Sequence, residues 1–186
     1  MKRLFDLSMS LLLGMLLAPL LLLLALLVKC SSRGPVLYWS ERVGIDNRLF
    51  KMPKFRTMRQ HTPEVATHLL ERPETHLTPV GGLLRRTSLD ELPQLWSILA
   101  GDMSFVGPRP ALYNQDDLIE LRTRYGVEQL LPGLTGWAQI NGRDELDIPG
   151  KVRFDVEYLQ RRCFMFDLLI MWRTAIKVLK REDVSY

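Results

Sequence analysis

The chain divides into an apolar N-terminal segment and a longer stretch of mixed character. Residues 7–28 contain no charged side chain and are dominated by leucine. As an α-helix, these 22 residues would extend roughly 33 Å, about the hydrocarbon thickness of a bilayer. After residue 30, polar and apolar residues alternate as they do in a globular domain. The pattern therefore predicts one membrane helix followed by a domain outside the bilayer.

The apolar segment has three interpretations. A cleaved signal peptide is disfavoured, because Lys29 stands where a small residue should precede Cys30 and the apolar block is long for a signal. A helix that spans the bilayer is the default for such a segment. A re-entrant helix, which enters the bilayer and returns to the same side, is favoured by Pro19, since a proline bends or breaks a helix. Basic residues lie on both flanks: Lys2, Arg3, Lys29, Arg33 and Arg42. This lack of asymmetry also favours the re-entrant form, although the sequence leaves the two membrane forms nearly equal.

A β-hairpin is predicted at the start of the mixed region. Residues 36–39 form a short β-prone run, and residues 49–52 are its expected partner across a polar turn. The proline-rich residues 61–79 are predicted as a loop, and a second, glycine-rich structured loop is predicted over residues 132–142.

Three helices are predicted between these loops and the last segment, at residues 88–99, 115–125 and 151–161. Pro93 lacks an N–H group and is harmless only in a first turn, so the first of these helices should begin near residues 88–90. Gly101 and Gly126 are the expected ends of the first and second helices.

The C-terminal segment has the periodicity of an amphipathic helix. Its apolar face is formed by Leu168, Met171, Trp172, Ala175, Ile176 and Leu179. Its opposite face is largely basic, with Arg173, Lys177, Lys180 and Arg181. Such a helix either packs on the core or lies on the membrane surface, and the apolar N-terminal segment favours the second interpretation.

Composition adds a preference for anionic partners. The 186 residues suffice for one modest domain, and the net charge of +4 suits phosphates, nucleotides or an anionic membrane surface without choosing among them. The two cysteines form no Cys-x-x-Cys pair, and the three histidines lie in a polar stretch, so neither a disulfide framework nor a zinc site is expected.

Asp90 and Glu91 are the leading catalytic candidates. Adjacent acids at a helix start are often capping residues that interact with the helix dipole, which is a purely structural alternative. Basic residues accompany them in the sequence: Lys54, Arg56, Arg85, Arg86, Arg109 and Arg143. Arg109 stands between two prolines, and a stiffly held guanidinium suits bidentate phosphate recognition.

This combination of acids and cations predicts phosphoryl transfer. One carboxylate can attack phosphorus, a second can hold Mg²⁺, and the cations can neutralise the phosphate oxygens. The helix start and the cations are expected to keep Asp90 ionised at neutral pH.

Four motifs make the chain resemble the bacterial sugar transferase family, the small monotopic phosphoglycosyl transferases. They are Lys-Phe-Arg-Thr-Met (residues 54–58), Ser-Leu-Asp-Glu-Leu-Pro-Gln-Leu (88–95), Gly-Asp-Met-Ser-Phe-Val-Gly-Pro-Arg-Pro (101–110), and Pro-Gly-Leu-Thr-Gly (132–136) with Asn-Gly-Arg (141–143). The resemblance covers nearly the whole chain, and the motifs of residues 88–110 are long and highly specific.

The resemblance implies an α/β fold that is mainly helical with a small β-hairpin. It implies a monotopic membrane protein in which residues 1–33 form a re-entrant helix broken at Pro19, where Ala18 replaces the family's usual serine, and residues 34–186 form the catalytic domain. Amphipathic helices would lie at the interface. The chain lacks the multi-span N-terminal extension of larger family members, so a minimal catalytic unit is expected on the cytoplasmic face of the bacterial inner membrane.

The resemblance also implies roles for individual residues. Asp90 would be the nucleophile and Glu91 its metal-binding partner, with Asp90 also near the Mg²⁺ cofactor. Phosphate or nucleotide contacts would come from Lys54, Arg85, Arg109 and Arg143. Asp155 and Tyr158 match a further family motif, Phe-Asp-Val-Glu-Tyr, and are included as candidate substrate contacts.

The implied reaction transfers a sugar phosphate from a uridine diphosphate sugar to polyprenyl phosphate and releases UMP. Membrane lipids and downstream glycosyltransferases are expected partners, and nucleic acid is not. The alternative is a non-catalytic, membrane-tethered binder of anionic lipid or nucleotide-sugar, in which the cations matter and the two acids do not.

Overall fold

The computed structural model describes residues 1–60, 62, 73–142 and 146–180. Within these residues the α-helices are α1 (Lys2–Ser31), α2 (Gly81–Arg86), α3 (Leu95–Ala100), α4 (Asp116–Arg124), α5 (Trp137–Ile140), α6 (Ile148–Arg161) and α7 (Phe164–Lys180). The strands are β1 (Leu37–Val43), β2 (Leu49–Phe55), β3 (Ser104–Val106) and β4 (Gly133–Thr135). The expectation of a mainly helical fold with a small β-hairpin is confirmed.

The hairpin pairs β1 with β2 in antiparallel register and places Tyr38 opposite Lys54. The turn between the strands contains Asp46 and Asn47 in left-handed backbone conformations. Aspartate and asparagine tolerate this region better than most residues, which explains why the chain reverses here. The hairpin is confirmed and is longer than predicted at both strands.

A second sheet, not predicted from the sequence, pairs β3 with β4 in parallel. Three tightly packed glycines accompany these strands: Gly107 follows β3, Gly133 begins β4 and Gly136 follows β4. A Cβ atom on Gly107 would lie 2.2 Å from the Leu131 carbonyl oxygen, so a side chain here would displace backbone. This close approach fixes the loop of residues 108–110, which leaves the end of β3.

The helix predicted at residues 88–99 consists of two parts. Residues Leu89–Gln94 form a 3-10 helix, and the α-helix α3 begins at Leu95. Pro93 lies in the 3-10 part, where the missing N–H interrupts no α-helical bond. The helix end at Gly101 is confirmed, with φ of +101°.

The next two helices lie close to their predicted positions. Helix α4 ends at Arg124, shortly before Gly126, whose φ of +75° turns the chain. Helix α6 begins three residues earlier than predicted, because the Asp147 side chain accepts a hydrogen bond from the Gly150 N–H at 2.9 Å and caps it.

Helix α1 packs lengthwise against the globular part. Its first half places Phe5, Met9, Leu13 and Leu17 against the main core, which includes the fully buried Ile98, Met103 and Ile170. Its second half packs Leu24 and Val28 against Phe55 and Leu84. The helix continues without interruption through Pro19. By length and composition, α1 is the helix in the described residues that is able to cross a membrane.

The N-terminus of α1 is tied to the core by a group we call the helix clamp, formed by Lys2, Tyr158 and Asp167. The Lys2 Nζ atom lies 2.8 Å from Asp167 Oδ2 and 2.8 Å from the Tyr158 hydroxyl. The Tyr158 hydroxyl donates to Asp167 Oδ1 at 2.7 Å. Nearby, the Phe105 N–H donates to the buried Asp6 carboxylate at 3.2 Å. The charged start of α1 is therefore bonded directly to residues of the core.

The C-terminal end of α1 is held by the same globular part. The Arg56 guanidinium donates to the Ser32 and Arg33 carbonyl oxygens, each at 2.8 Å. Arg56 is buried, so this basic residue closes the end of the helix and is not part of an exposed basic surface. Both ends of α1 are thus fixed to one domain.

A large apolar surface of α1 is exposed. Its exposed side chains include Leu11, Leu12, Met15, Leu16, Leu22, Leu23, Leu26 and Leu27. Helix α7 also exposes apolar side chains, with Trp172 at 66% and Met165 at 72%. The core side of α7 is formed by Phe166 and Ile170, with Met171 packed beside them, whereas Trp172 is exposed. The predicted apolar face is therefore divided between the core and the surface.

Candidate functional site

Five of the predicted site residues come together, and we call them the carboxylate cluster: Lys54, Arg85, Asp90, Glu91 and Arg109. Each comes from a different part of the fold except the two acids, which share the 3-10 helix Leu89–Gln94. Lys54 is on β2, Arg85 is in the last turn of α2, and Arg109 is in the loop after β3. The fold therefore assembles three cations around two adjacent carboxylates.

Glu91 is the most tightly held member of the carboxylate cluster. Its Oε1 atom accepts a hydrogen bond from Lys54 Nζ at 2.9 Å and one from Arg109 Nη2 at 3.0 Å. Burial alone would raise the pKa of Glu91, but Lys54 and Arg109 outweigh it and hold this pKa well below its usual range. Glu91 is therefore ionised and fixes two cations.

Asp90 has different surroundings from Glu91. It is 7% exposed, and within the described residues its carboxylate makes no hydrogen bond or ion pair. Burial raises the pKa of Asp90, the charge of Glu91 adds to this, and Lys54, Arg85 and Arg109 oppose it. The direction is the reverse of that expected from the cations alone, because the loss of water outweighs them. Asp90 is therefore a buried carboxylate near three cations that makes no hydrogen bond to any of the described residues.

Arg85 is positioned by the chain that follows β2. Its Nε atom donates to the Thr57 hydroxyl at 3.0 Å. Helix α2 begins against this segment so closely that a Cβ atom on Gly81 would lie 2.0 Å from the Thr57 carbonyl oxygen. The half-buried guanidinium lies near enough to Asp90 and Glu91 for both to influence its pKa, which burial lowers. Arg85 nevertheless stays charged, since guanidinium groups do not deprotonate in proteins.

Asp155 and Tyr158 are not brought to the carboxylate cluster. Asp155 is 1% exposed and its Oδ2 atom accepts two hydrogen bonds from Arg122, at 2.8 and 3.0 Å. Tyr158 is 3% exposed and belongs to the helix clamp, where burial and then the bond to Asp167 raise its pKa and keep it protonated. In this structure Asp155 bonds to Arg122 and Tyr158 bonds within the helix clamp, and direct contact of either residue with the substrate stays a prediction.

Arg143, the remaining predicted phosphate contact, lies outside the described residues, as do His61 and His68. Arg122 was not singled out from the sequence. It lies on a helix of charged residues that reads as solvated surface, and its partner Asp155 is 33 positions away, so local pattern gave no signal.

The acids of the carboxylate cluster are a suitable but incomplete set of ligands for Mg²⁺. Within the described residues, no group of three or more histidine, cysteine, aspartate or glutamate side chains is able to hold a metal ion. Magnesium is usually held by one or two carboxylates together with substrate phosphates and water. Asp90 and Glu91 fit this kind of site, in which a bound diphosphate supplies the missing oxygens.

Comparison with known proteins identifies the family of the chain. The profile of the bacterial sugar transferase family matches residues 1–181. Undecaprenyl-phosphate glucose phosphotransferase of Komagataeibacter xylinus is 42% identical, over 99% of this chain and 36% of that protein. The UDP-glucose:undecaprenyl-phosphate glucose-1-phosphate transferase of Escherichia coli is 40% identical, over 95% of this chain and 40% of its own length.

The chain spans less than half the length of these two relatives. A shorter relative, the uncharacterised sugar transferase EpsL of Bacillus subtilis, is 38% identical over the whole of this chain and 90% of its own length. The range matched by the family profile, residues 1–181, spans the whole carboxylate cluster. The chain therefore belongs to the bacterial sugar transferase family.

Proposed function

We propose that this protein transfers a sugar 1-phosphate from a uridine diphosphate sugar to polyprenyl phosphate. The names of the relatives support the substrate classes: two are transferases of glucose phosphate to undecaprenyl phosphate, and another is an undecaprenyl-phosphate galactose phosphotransferase from Salmonella typhimurium. The carboxylate cluster supports the chemistry, since three cations around two acids suit a diphosphate. The lipid diphosphate-sugar product would then be available to glycosyltransferases.

The observation that carries the proposal is the contrast between Asp90 and Glu91. Glu91 is fixed by Lys54 and Arg109, whereas the Asp90 carboxylate makes no hydrogen bond within the described residues. Two charge-assisted hydrogen bonds to Oε1 hold Glu91 in place and lower the nucleophilicity of its carboxylate, whereas Asp90 carries no such bond within the described residues and is the better nucleophile. Asp90 therefore acts as the nucleophile and Glu91 as the group that orders the cations.

The reaction proceeds by two displacements at one phosphorus atom. An Asp90 carboxylate oxygen attacks the phosphorus that carries the sugar, the bond from that phosphorus to the UMP oxygen breaks, and UMP leaves. An oxygen of the lipid phosphate then attacks the same phosphorus, and the bond to Asp90 breaks. Lys54, Arg85 and Arg109 bind the phosphate oxygens and reduce the repulsion that an anionic nucleophile meets.

Asp90 and Glu91 would hold the Mg²⁺ cofactor together with the donor diphosphate. When bound, the ion neutralises phosphate oxygens and helps UMP to leave. Two consequences for the protein follow: the negative charge of Glu91 is shared between the ion and its two basic partners, and the raised pKa of Asp90 falls, since a nearby cation favours the carboxylate.

The same site admits a mechanism without a protein nucleophile, in which the lipid phosphate attacks directly. The two routes differ when donor and Mg²⁺ are supplied without acceptor. A covalent route releases at most about one UMP per active site and leaves a phosphosugar on the protein. Rapid quench followed by intact-protein mass spectrometry and peptide mapping should place this adduct on Asp90.

Asp90→Asn should abolish the adduct, and Asp102→Asn, at an exposed aspartate nearby, is the matched control that should retain it. Absence of both an adduct and an acceptor-independent release of UMP would exclude the covalent route. If the unmodified protein releases no UMP from any uridine diphosphate sugar tested, with acceptor present, the transferase activity itself is contradicted. Uridine diphosphate glucose and galactose are the first donors to test.

We further propose that α1 enters the inner membrane from the cytoplasmic side and returns, with its bend at Pro19. Both ends of α1 bond to the same domain, through Lys2 at one end and Arg56 at the other, and a spanning helix would have to separate them. The exposed leucine surface of α1 and the apolar side chains of α7 suit burial in lipid.

Single-cysteine labelling in intact cells tests this topology, after the native Cys30 and Cys163 are replaced by serine. Cysteines at positions 2 and 33 should both resist an impermeant external reagent and react after the membrane is permeabilised. External labelling of position 2 without position 33 would indicate a spanning helix. Pro19→Leu should favour such a span.

A further inference from the structure

The loop that carries Arg109 is held mainly through its carbonyl oxygens. Pro108 and Pro110 have no N–H group, so the backbone on each side of Arg109 cannot donate a hydrogen bond. Each carbonyl is instead bonded by a separate element: Pro108 by the Gly133 N–H at 2.9 Å, Arg109 by Arg122 Nη1 at 2.8 Å, and Pro110 by Arg42 Nη1 at 3.2 Å. Two arginine side chains therefore fix the backbone of a third.

Arg122 is itself held by Asp155. Its Nε and Nη2 atoms donate to Asp155 Oδ2 at 3.0 and 2.8 Å. The side chains are 12% and 2% exposed, respectively, so the pair is shielded from water and from counterions. Since Arg122 comes from α4 and Asp155 from α6, the contact joins two helices behind the Arg109 loop.

The guanidinium of Arg122 divides its donors between two acceptors. Nε and Nη2 face Asp155, and Nη1 remains for the Arg109 carbonyl oxygen. A planar group with donors on two edges is needed for this arrangement, and a lysine ammonium lacks that fixed geometry. The carboxylate of Asp155 sets the plane of the guanidinium and thereby its direction towards the loop.

The contacts continue from the backbone of Arg109 to its side chain. Arg109 Nη2 donates to Glu91 Oε1 at 3.0 Å, beside the bond from Lys54. The Arg109 side chain is 36% exposed, so packing alone does not immobilise it. Its position relative to Glu91 depends on where the loop backbone is fixed.

We propose that Arg122 and Asp155 are positioning residues, which act on phosphate binding by fixing the backbone of Arg109. This inference rests on the proposed function for the meaning of Arg109, but it makes a separate claim: neither Arg122 nor Asp155 touches the substrate. Asp155 thereby has a role that differs from direct substrate contact.

A double-mutant cycle between Arg122 and Arg109 tests the proposal. Arg122→Lys should lower kcat/KM for the uridine diphosphate sugar by roughly 10²-fold, because small misplacements of a catalytic contact have effects of this order. In an Arg109→Lys background the same substitution should cost less than about threefold, since a residue that acts through Arg109 loses its effect when the guanidinium is gone.

The cycle is also measured on the Kd of UDP with Mg²⁺, which requires no turnover. Coupling in Kd supports the positioning role even where the transfer reaction is not the one proposed, so the two ideas fail separately. Arg124→Lys is the matched control: it lies on the same helix, in an exposed pair with Glu120, and should change neither kcat/KM nor Kd.

Equal losses from Arg122→Lys in both backgrounds, in kcat/KM and in Kd, would overturn the proposal and assign Arg122 an effect independent of Arg109. A thermal melt checks that each variant is folded at the assay temperature. Should Arg122→Lys fail this check, Asp155→Asn takes its place in the same cycle, because it keeps the shape of the side chain and an acceptor for Arg122. Loss of coupling in that cycle would be equally decisive.

Discussion

In the helix clamp, each charged or hydroxyl group is bonded to another: Lys2 contacts both Asp167 and Tyr158, and Tyr158 donates to Asp167. In the carboxylate cluster, Glu91 is bonded to two cations while the adjacent Asp90 is buried and makes no hydrogen bond within the described residues. Both groups place charge inside the protein, where an unpartnered carboxylate is costly. The helix clamp, in which every polar group is bonded, is typical of a structural contact. The carboxylate cluster, in which Glu91 is bonded and Asp90 is not, is the arrangement expected of a reactive site.

Substitution of Asp90 should give the largest effect on activity. Asp90→Asn removes the proposed nucleophile and should lower the rate of UMP release by at least about 10³-fold. The melting temperature at neutral pH should stay the same or rise, because the substitution removes a buried charge that has no hydrogen bond within the described residues. A steady-state assay with a thermal melt measures both, and a large loss of stability would mean that Asp90 has a structural role.

Substitution of Arg109 should give the next largest effect. Arg109→Lys keeps the charge but loses the planar fork, so we expect a loss of roughly 10²-fold in kcat/KM for the nucleotide-sugar. Lys51→Arg, at an exposed residue of β2, is a control for the exchange of the two basic types. Near-normal turnover in a folded Arg109→Lys protein would reduce Arg109 to a surface charge.

The helix clamp should show the reverse behaviour, with an effect on stability. Asp167→Asn weakens the bonds to Lys2 and Tyr158 and should lower the free energy of unfolding by about 1–3 kcal/mol, discounted because Lys2 is partly exposed. Activity per folded molecule should change little. Glu120→Gln, in the exposed pair with Arg124, should leave stability nearly unchanged. Equal stability of the Asp167→Asn and Glu120→Gln proteins would contradict the structural role of the clamp.

The pH dependence should show the smallest effect. Because burial raises the pKa of Asp90, the ionised nucleophile is lost as pH falls through a value above the ordinary aspartate pKa of about 3.9. The acid limb of kcat/KM should lie correspondingly high. Lys54→Gln removes a cation that lowers this pKa, so the limb should move to higher pH. A shift to lower pH would mean that another group controls it.

The sequence predicts the elements whose signals are local. The hairpin of β1 and β2, the end of α3 at Gly101 and the amphipathic character of α7 all follow from nearby residues. From its motifs, the sequence predicts five site residues that the structure brings together in the carboxylate cluster: Lys54, Arg85, Asp90, Glu91 and Arg109. The contacts of Lys2 and Arg122 join residues more than 30 positions apart. Such contacts cannot be predicted from the periodicity of the sequence.

Asp155 and Tyr158 show what a motif alone does not reveal. Both lie in the motif Phe-Asp-Val-Glu-Tyr, but the motif does not say which neighbours bond to their polar atoms. Both side chains lie on the buried face of α6, where Asp155 accepts a hydrogen bond from Arg122 and Tyr158 donates one to Asp167. Burial on a helix face depends on which neighbours pack there, and that is settled by the tertiary fold.

The attachment of both ends of α1 to one domain has a consequence for synthesis on the ribosome. Residues 2–31 leave the ribosome first, but their partners Tyr158 and Asp167 are translated more than 150 residues after Lys2. On the proposed topology, the leucine-rich helix enters lipid during this interval, when the core that receives its start does not yet exist. Insertion would then precede folding, and translation of α6 and α7 would be the step that joins the inserted helix to its domain.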